Sequence, residues 1–523
     1  MKKATNINVE ANTKYFLLVL ILLISVSKLF LIGKGFLAFP DEIRYYSAGN
    51  FINEISEGHL KAALYAAFSV QGRPGEAIVK IIPTSLQILT GKLNQVDTYD
   101  PVNSYPLFIF NFVVYGLILL VHFKFSNLFL KDRKLSLLSV LIFASLTNSF
   151  IYLRHALPYD SSLLVLYYVI FCLCSSIEQK KATPARLFFY GIASFFGYLI
   201  YPGYILMIST SLILISIYDL SFKFLLKKIV LVISYASGLI FLFIAVEAAS
   251  RFAGTSYIYG AKGLSSTITQ GSFDESYTFL FKYLFEVEGF TGYILIGVIP
   301  IFYVASYYLH KNFPQFKLII YLSFSLLISY ILYASYGYFL HGVVFYGRLI
   351  HQFIPFICIL AVVLFSTLSR IEKYVSYGII LVSILFVLNY AFNFLKFIPL
   401  GYPREINWEY VKKHKEARTL FACELNDRMY WDLIANGMSE TDTSSIHQLE
   451  NYNSVLVNGC FSEKIVGPSR FKPIEPGSSF TLISSTPHFL KHKAYQFEGL
   501  SVPDRKNMDQ YDLRIKVFSR SKE

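Results

Sequence analysis

Between residues 15 and 397 the chain is a succession of apolar stretches separated by short polar breaks, and Lys and Arg collect in every second break. A run of roughly 20 mostly apolar residues is what a helix needs to cross a bilayer. An excess of Lys and Arg in the short loops marks the cytoplasmic side. The pattern therefore restricts the chain to a bundle of membrane helices whose crossings can be counted. Only 15% of the 523 residues are charged, against roughly 25% in a soluble domain. The net charge of +13 lies in the breaks, where it orients helices, so nucleic acid is set aside as a partner.

The expected spans are 15–36, 106–123, 135–152, 160–177, 186–202, 204–220, 228–248, 290–308, 317–337, 349–369 and 375–397. The first is too long for a signal-peptide core of roughly 7–15 residues and has no small-residue cleavage site after it. Lys2 and Lys3, Lys124 to Lys134, Lys180 to Arg186, Lys223 to Lys228, Lys311 with Lys317, and Arg370 with Lys373 all fall on one side if there are 11 spans. The N-terminus is then cytoplasmic and the tail extracytoplasmic, in a cytoplasmic (inner) membrane. Residues 186–220 would be one helix but for Tyr201-Pro202-Gly203, a strong turn signal. A single helix would also place one basic break on the wrong side.

Two large outer loops are expected, 38–105 and 249–289, the first with interfacial helices near Leu60–Val70 and Ala77–Leu89. From about residue 398 charges become frequent and apolar runs short, and Ser454–Val457 and Phe480–Ile483 read as strands. The fold class is thus an α-helical polytopic membrane domain, 1–397, followed by a small extracytoplasmic α/β domain, 398–523. Cys172, Cys174 and Cys358 fall in spans and read as packing residues. Cys423 and Cys460 share a compartment that permits a disulfide, and their spacing leaves the pairing open.

The outer breaks hold the candidate chemistry. Pro40-Asp41-Glu42 begins the first loop, followed by Tyr45 and Tyr46. Acids suit a helix N-terminus, here one running to about Glu57. A carboxylate held against the bilayer would also serve as a general base. Gln71-Gly72-Arg73-Pro74-Gly75-Glu76 forms a polar knot in the same loop. The second outer break carries Arg154, His155 and Asp160, in which Arg154 either pairs with Asp160 or binds phosphate. The last carries Arg348 at the mouth of an apolar helix, with His351 one turn further in. Arg stays charged and donates bidentately, which suits phosphate; snorkelling to headgroups is the plainer reading. Glu247 and Arg251, one turn apart, read as a local pair.

Acids after the first span, a lone Arg before a late span, and an outer C-terminal domain together resemble the GT-C glycosyltransferases that use polyprenyl-phosphate sugars, including protein O-mannosyltransferases and lipid A aminoarabinose transferases. The resemblance covers about 15–397 and rests on Asp41-Glu42 with Tyr45, Tyr46 and Gly58, on Arg73-Pro74 near the family's His-Pro-Pro segment, on Arg154 to Asp160, and on Arg348 to Pro355. The family's His is absent, and Tyr201 stands where a Lys is often found. The resemblance implies sugar transfer from a polyprenyl-phosphate donor to a glycolipid, polysaccharide or protein acceptor. In it Asp41 is the base and Glu42 orients Asp41 or the acceptor. Arg348, with Arg154, His351 and Arg73, holds the donor phosphate; Tyr45, Glu76, Asp160 and Tyr201 line the site. No cofactor is assigned. Two adjacent acids suit Mg²⁺ or Mn²⁺, without a full ligand set beside them. The rival classes are an O-antigen polymerase or ligase, a transporter or flippase of lipid-linked glycans, which would place charges at midspan, and a non-catalytic scaffold.

Overall fold

The computed structural model describes residues 2–35, 39, 42, 46–68, 73–89, 105–218, 225–266, 273–368, 372–402, 405–406, 409–410, 413–414, 419–422, 453–457, 477–500, 502–508 and 513–521. Its helices are α1 (Lys2–Ser27), α2 (Tyr46–Ser56), α3 (Leu60–Phe68), α4 (Pro74–Leu89), α5 (Tyr105–Leu130), α6 (Arg133–Ser145), α7 (Tyr159–Glu178), α8 (Pro184–Ile200) and α9 (Ile205–Ile217). They continue as α10 (Leu225–Phe252), α11 (Tyr257–Ser266), α12 (Phe279–Val287), α13 (Gly289–Asn312), α14 (Lys317–Leu340), α15 (Gly347–Ile350), α16 (Ile354–Leu368) and α17 (Glu372–Phe397). Two more, α18 (Lys493–Gly499) and α19 (Val502–Met508), belong to the tail.

Every expected span contains a helix, but the helices are unequal. Among the described residues, seven segments are long and apolar enough to cross a membrane: those in α1, α5, α7, α10, α13, α14 and α17. Three shorter apolar helices cover Pro184–Ile200, Pro202–Ile217 and Ile354–Thr367. The expected span 135–152 is shorter than anticipated. It is the 13-residue α6, about 20 Å long at 1.5 Å per residue, followed by a 3₁₀ turn at Thr147–Ser149 and irregular chain. Helix and irregular chain are buried almost throughout. Non-helical backbone is tolerated at such depth where protein surrounds it.

The expected helix 349–369 is likewise broken. Arg348 lies in the one-turn α15, His351 in the following turn, and α16 restarts at Ile354. Pro355 explains the restart, because the proline ring bars the preceding turn from continuing as helix.

The Tyr201-Pro202-Gly203 signal is a true break, with α8 ending at Ile200 and a 3₁₀ turn over Pro202–Tyr204. Gly191 approaches Gly238, Phe195 meets Phe243, and Leu199 packs with Val246. Both series rise together, so α8 and α10 run parallel and α9 returns between them.

The first loop holds two of its expected helices as α3 and α4, with α2 before them. That first helix is described from Tyr46, and its expected start at Pro40-Asp41 lies outside the described residues; Gly58, with φ near +81°, supplies the left-handed step that ends it. α4 is amphipathic in the inverted sense. Glu76, Lys80, Thr84 and Gln87 are buried while Ile78, Ile82, Leu86 and Leu89 are exposed. A helix that turns its apolar face outward suits lipid as its solvent.

In the tail, β1 (Thr419–Ala422), β2 (Ser454–Val457), β3 (Phe480–Pro487) and β4 (Arg514–Arg520) form one sheet in the order β1-β2-β4-β3. The β1–β2 pair is parallel and the others antiparallel, with an irregularity between Leu482 and Ser484. Both expected strands are present. α18 docks against the bundle, with Tyr495 and Phe497 buried beside Phe397 and Tyr283.

Candidate functional site

One end of the bundle gathers the C-terminal ends of α1, α6, α8 and α17 and the N-terminal ends of α7, α13 and α16, and here the buried polar side chains concentrate. Lys28, alone at the end of an apolar run, donates to Tyr115 Oη, the Ala144 carbonyl and Ser149 Oγ at 2.7–2.8 Å. Glu288, before α13, accepts the backbone N–H groups of Thr147 and Asn148 at 2.7 and 2.9 Å. These contacts satisfy the irregular chain after α6, since buried N–H groups need acceptors. Burial pushes the Glu288 carboxyl up to about 7, and the two N–H groups draw it back.

That scaffold positions three groups of expected residues. In the first, His351 lies between Asn148 and Asp160, with Nδ1 2.5 Å from Asn148 Oδ1 and Nε2 2.8 Å from Asp160 Oδ1. Asn148 in turn donates to Tyr283 at 2.9 Å. His351 therefore has both ring nitrogens on protein groups, one of them Asp160 in the first turn of α7.

The second group surrounds Arg348. Its guanidinium donates to Tyr159 Oη and, at 3.2 Å, to the Glu498 backbone carbonyl. Nε stands 3.4 Å from the Glu498 carboxylate. The Tyr346 and Tyr159 rings flank it, with centroids 4.6 and 5.4 Å from the guanidinium carbon. Tyr159 packs edge-on against Tyr201 at 4.6 Å, and Arg73 lies 5.2 Å from the Tyr201 ring. An aromatic bridge thus connects the arginines of the first and last outer breaks. Glu76 and Lys80 are buried on α4, where Lys80 reaches the Leu157 carbonyl at 3.4 Å.

The third group fixes the first loop. Glu42 is fully buried and accepts the N–H groups of Phe39 at 3.0 Å and Ala156 at 2.8 Å. Its carboxylate lies 3.3 Å from His155 Nδ1. The Gly35 carbonyl, 2.8 Å from the same nitrogen, takes the Nδ1 proton, so Nε2 accepts from Tyr495, also at 2.8 Å. Burial holds the His155 pKa below its ordinary value, which keeps the ring neutral. Glu42 is therefore a joint between two outer breaks.

Arg154 does not pair with Asp160. It is fully buried, donates to the Phe397 and Leu400 carbonyls at 3.3 and 3.4 Å, and lies against the Phe397 and Tyr402 rings. These partners tie it to the end of α17. Asp41 and Tyr45 lie outside the described residues, as do Cys423 and Cys460. Glu247 and Arg251 form the expected pair, at 2.7 Å. Among the described residues, Glu54, Glu57 and His59 are the cluster with metal-ligand spacing; it is largely exposed and separate from the groups above.

Sequence reasoning missed Glu498, Tyr152, Tyr495, Glu288 and Lys28. Lys28 left a signal, a charge inside an apolar run. Glu498 left none, because nothing in Gln496-Phe497-Glu498-Gly499 distinguishes it from surface helix. A comparison with family models finds none that matches this chain, and a comparison with curated proteins finds no match either.

Proposed function

We propose that this membrane protein is a glycosyltransferase that moves a sugar from a polyprenyl-phosphate donor to an acceptor hydroxyl on the extracytoplasmic face of the membrane. The observation that carries this reading is the convergence of Arg348, Asp160, His351, Arg73 and the Glu42 joint at one end of an apolar bundle. A donor that cannot leave the bilayer needs its charged machinery at the bilayer's edge. Such machinery is affordable only where buried charges are paired and hydrogen-bonded, as they are here.

In this mechanism the acceptor oxygen attacks the anomeric carbon while the bond from that carbon to the phosphate oxygen breaks. Asp41 takes the acceptor's proton. The leaving polyprenyl phosphate carries the negative charge, which Arg348 stabilises electrostatically. Glu42 ties the first outer break to the second through Ala156 and His155, and His351 holds Asp160. The site's position favours transfer over transport, since a transporter places its ionisable groups near the midplane.

Asp41→Asn tests the reading. The variant is expected to insert at wild-type levels and to lose glycan products, with a rate loss on the order of 10²-fold or more for an absent general base. Wild-type glycolipid, polysaccharide and glycoprotein profiles from it would sink the assignment.

A further inference from the structure

The tail brings a carboxylate to an arginine that solvent still reaches. The Arg348 side chain is 16% exposed, and the Glu498 side chain behind it 2%. Glu498 Oε1 accepts from Tyr152 Oη at 2.6 Å, while Oε2 stands 3.4 Å from Arg348 Nε. Charge-assisted N–H···O bonds run about 2.7–2.9 Å, so this carboxylate neutralises the guanidinium without gripping it. Gly347 makes the approach possible: a Cβ there would lie 2.5 Å from Glu498 Oε1. A buried charge left without its counter-charge is strongly destabilising, which explains why an arginine set among tyrosine rings carries its own anion. A phosphate presents two oxygens to the planar fork, a better match than a carboxylate turned toward Tyr152.

We propose that Glu498 is an internal counter-anion that occupies the phosphate's place on Arg348, so that phosphate and Glu498 compete for one guanidinium. This rests on the reading of Arg348 as the phosphate holder. Tyr495 and Phe497 are buried to within 1%, so α18 stays docked and only the Glu498 side chain yields.

Thermal unfolding and binding of the full chain in detergent test the competition, with farnesyl phosphate, inorganic phosphate and farnesol as probes. Glu498→Gln keeps the shape and the Tyr152 contact and removes the charge. Without ligand it is expected to melt below wild type. Farnesyl phosphate is expected to restore its Tm and to bind it about tenfold more tightly than wild type. Rescue by farnesyl phosphate at far lower concentration than by inorganic phosphate identifies a lipid-linked ligand; equal potency identifies free phosphate, and both support the competition. Unchanged or weaker binding of farnesyl phosphate, or rescue by farnesol alone, overturns it. Should Glu498→Gln fail to fold, Tyr152→Phe releases Oε1 from its hydroxyl partner and lets the carboxylate turn to Arg348, with weaker binding of farnesyl phosphate expected and unchanged or tighter binding overturning the idea. The glycosyl-transfer reading fails separately. Wild-type products from Asp41→Asn beside the tenfold gain sink transfer alone, whereas lost products without any gain sink the competition alone.

Discussion

Arg154 and Arg348 both stand in short outer breaks, yet burial gives them different work. Arg154 is closed in by two carbonyls and two rings, whereas the Arg348 side chain stays 16% exposed, with a carboxylate 3.4 Å from its Nε. Spacing along the chain could not separate them, because the hydrogen-bond partners named for each come from segments more than 100 residues away. Glu405 is a third case, since it accepts the Gly35 N–H at 2.9 Å. Burial pushes its carboxyl up to about 7, against the pull of that bond and of Arg154. A carboxyl raised in the folded state binds its proton better there than in the unfolded chain. The folded state therefore gains as pH falls from about 7 toward the ordinary 4.5 and loses as pH rises through that window. Glu405→Gln retains an acceptor for Gly35 and cannot titrate. Relative to wild type, it should gain stability between about pH 5 and pH 8, on the order of a few kcal/mol. Thermal melts across that range check it, and a constant difference would show that this carboxyl is solvated.

At the scale of elements, length and polarity were legible while depth was not. α6 is too short to span by itself and survives because nearly its whole surface is packed. α4 carries the polar residues of an ordinary amphipathic helix, but the fold turns that face inward. The contact between α8 and α10 depends on two missing side chains. A Cβ at Gly191 would lie 2.1 Å from the Tyr235 carbonyl, and one at Gly238 would lie 2.0 Å from the Phe188 carbonyl. Backbone cannot give way as a side-chain tip does, and small residues of this kind permit close helix approach in membranes. Gly238→Ala is expected to destabilise the protein by about 3 kcal/mol, the upper part of the overpacking range. Gly116→Ala, where a Cβ meets nothing within 4 Å, should be neutral or slightly stabilising, since alanine is the better helix former. Thermal unfolding in detergent distinguishes the two; equal melts would show that α8 and α10 can separate without cost.

For the whole molecule, the alternation of basic breaks predicts which ends of the helices share a side. Arg154, Asp160, Tyr201, Arg348 and His351 do meet at one end of the bundle, together with Arg73 just before α4. The tail docks at that same end through Tyr495 on His155, Glu498 on Arg348, and Arg505 paired with Glu275 beside Lys282. The expected odd count of crossings would put the tail opposite the N-terminus. A reporter active only outside the cytoplasm, fused after Glu523, should therefore be active, and a cytoplasmic reporter there should be silent. The reverse would overturn the count and the face assigned to the site.

The sequence by itself determined the membrane setting, the succession of helices, the break at Tyr201-Pro202-Gly203, the two strands it named, and the grouping of alternate polar breaks at one end. Each follows from local hydropathy, turn chemistry or charge, properties that a short stretch of chain carries alone. Only the tertiary structure decided which polar residue meets which. It made Glu42 and Arg154 joints, set His351 against Asp160, and laid Glu498 on Arg348. Those pairings depend on how buried charges find partners across distant helices, and no window of sequence contains both members.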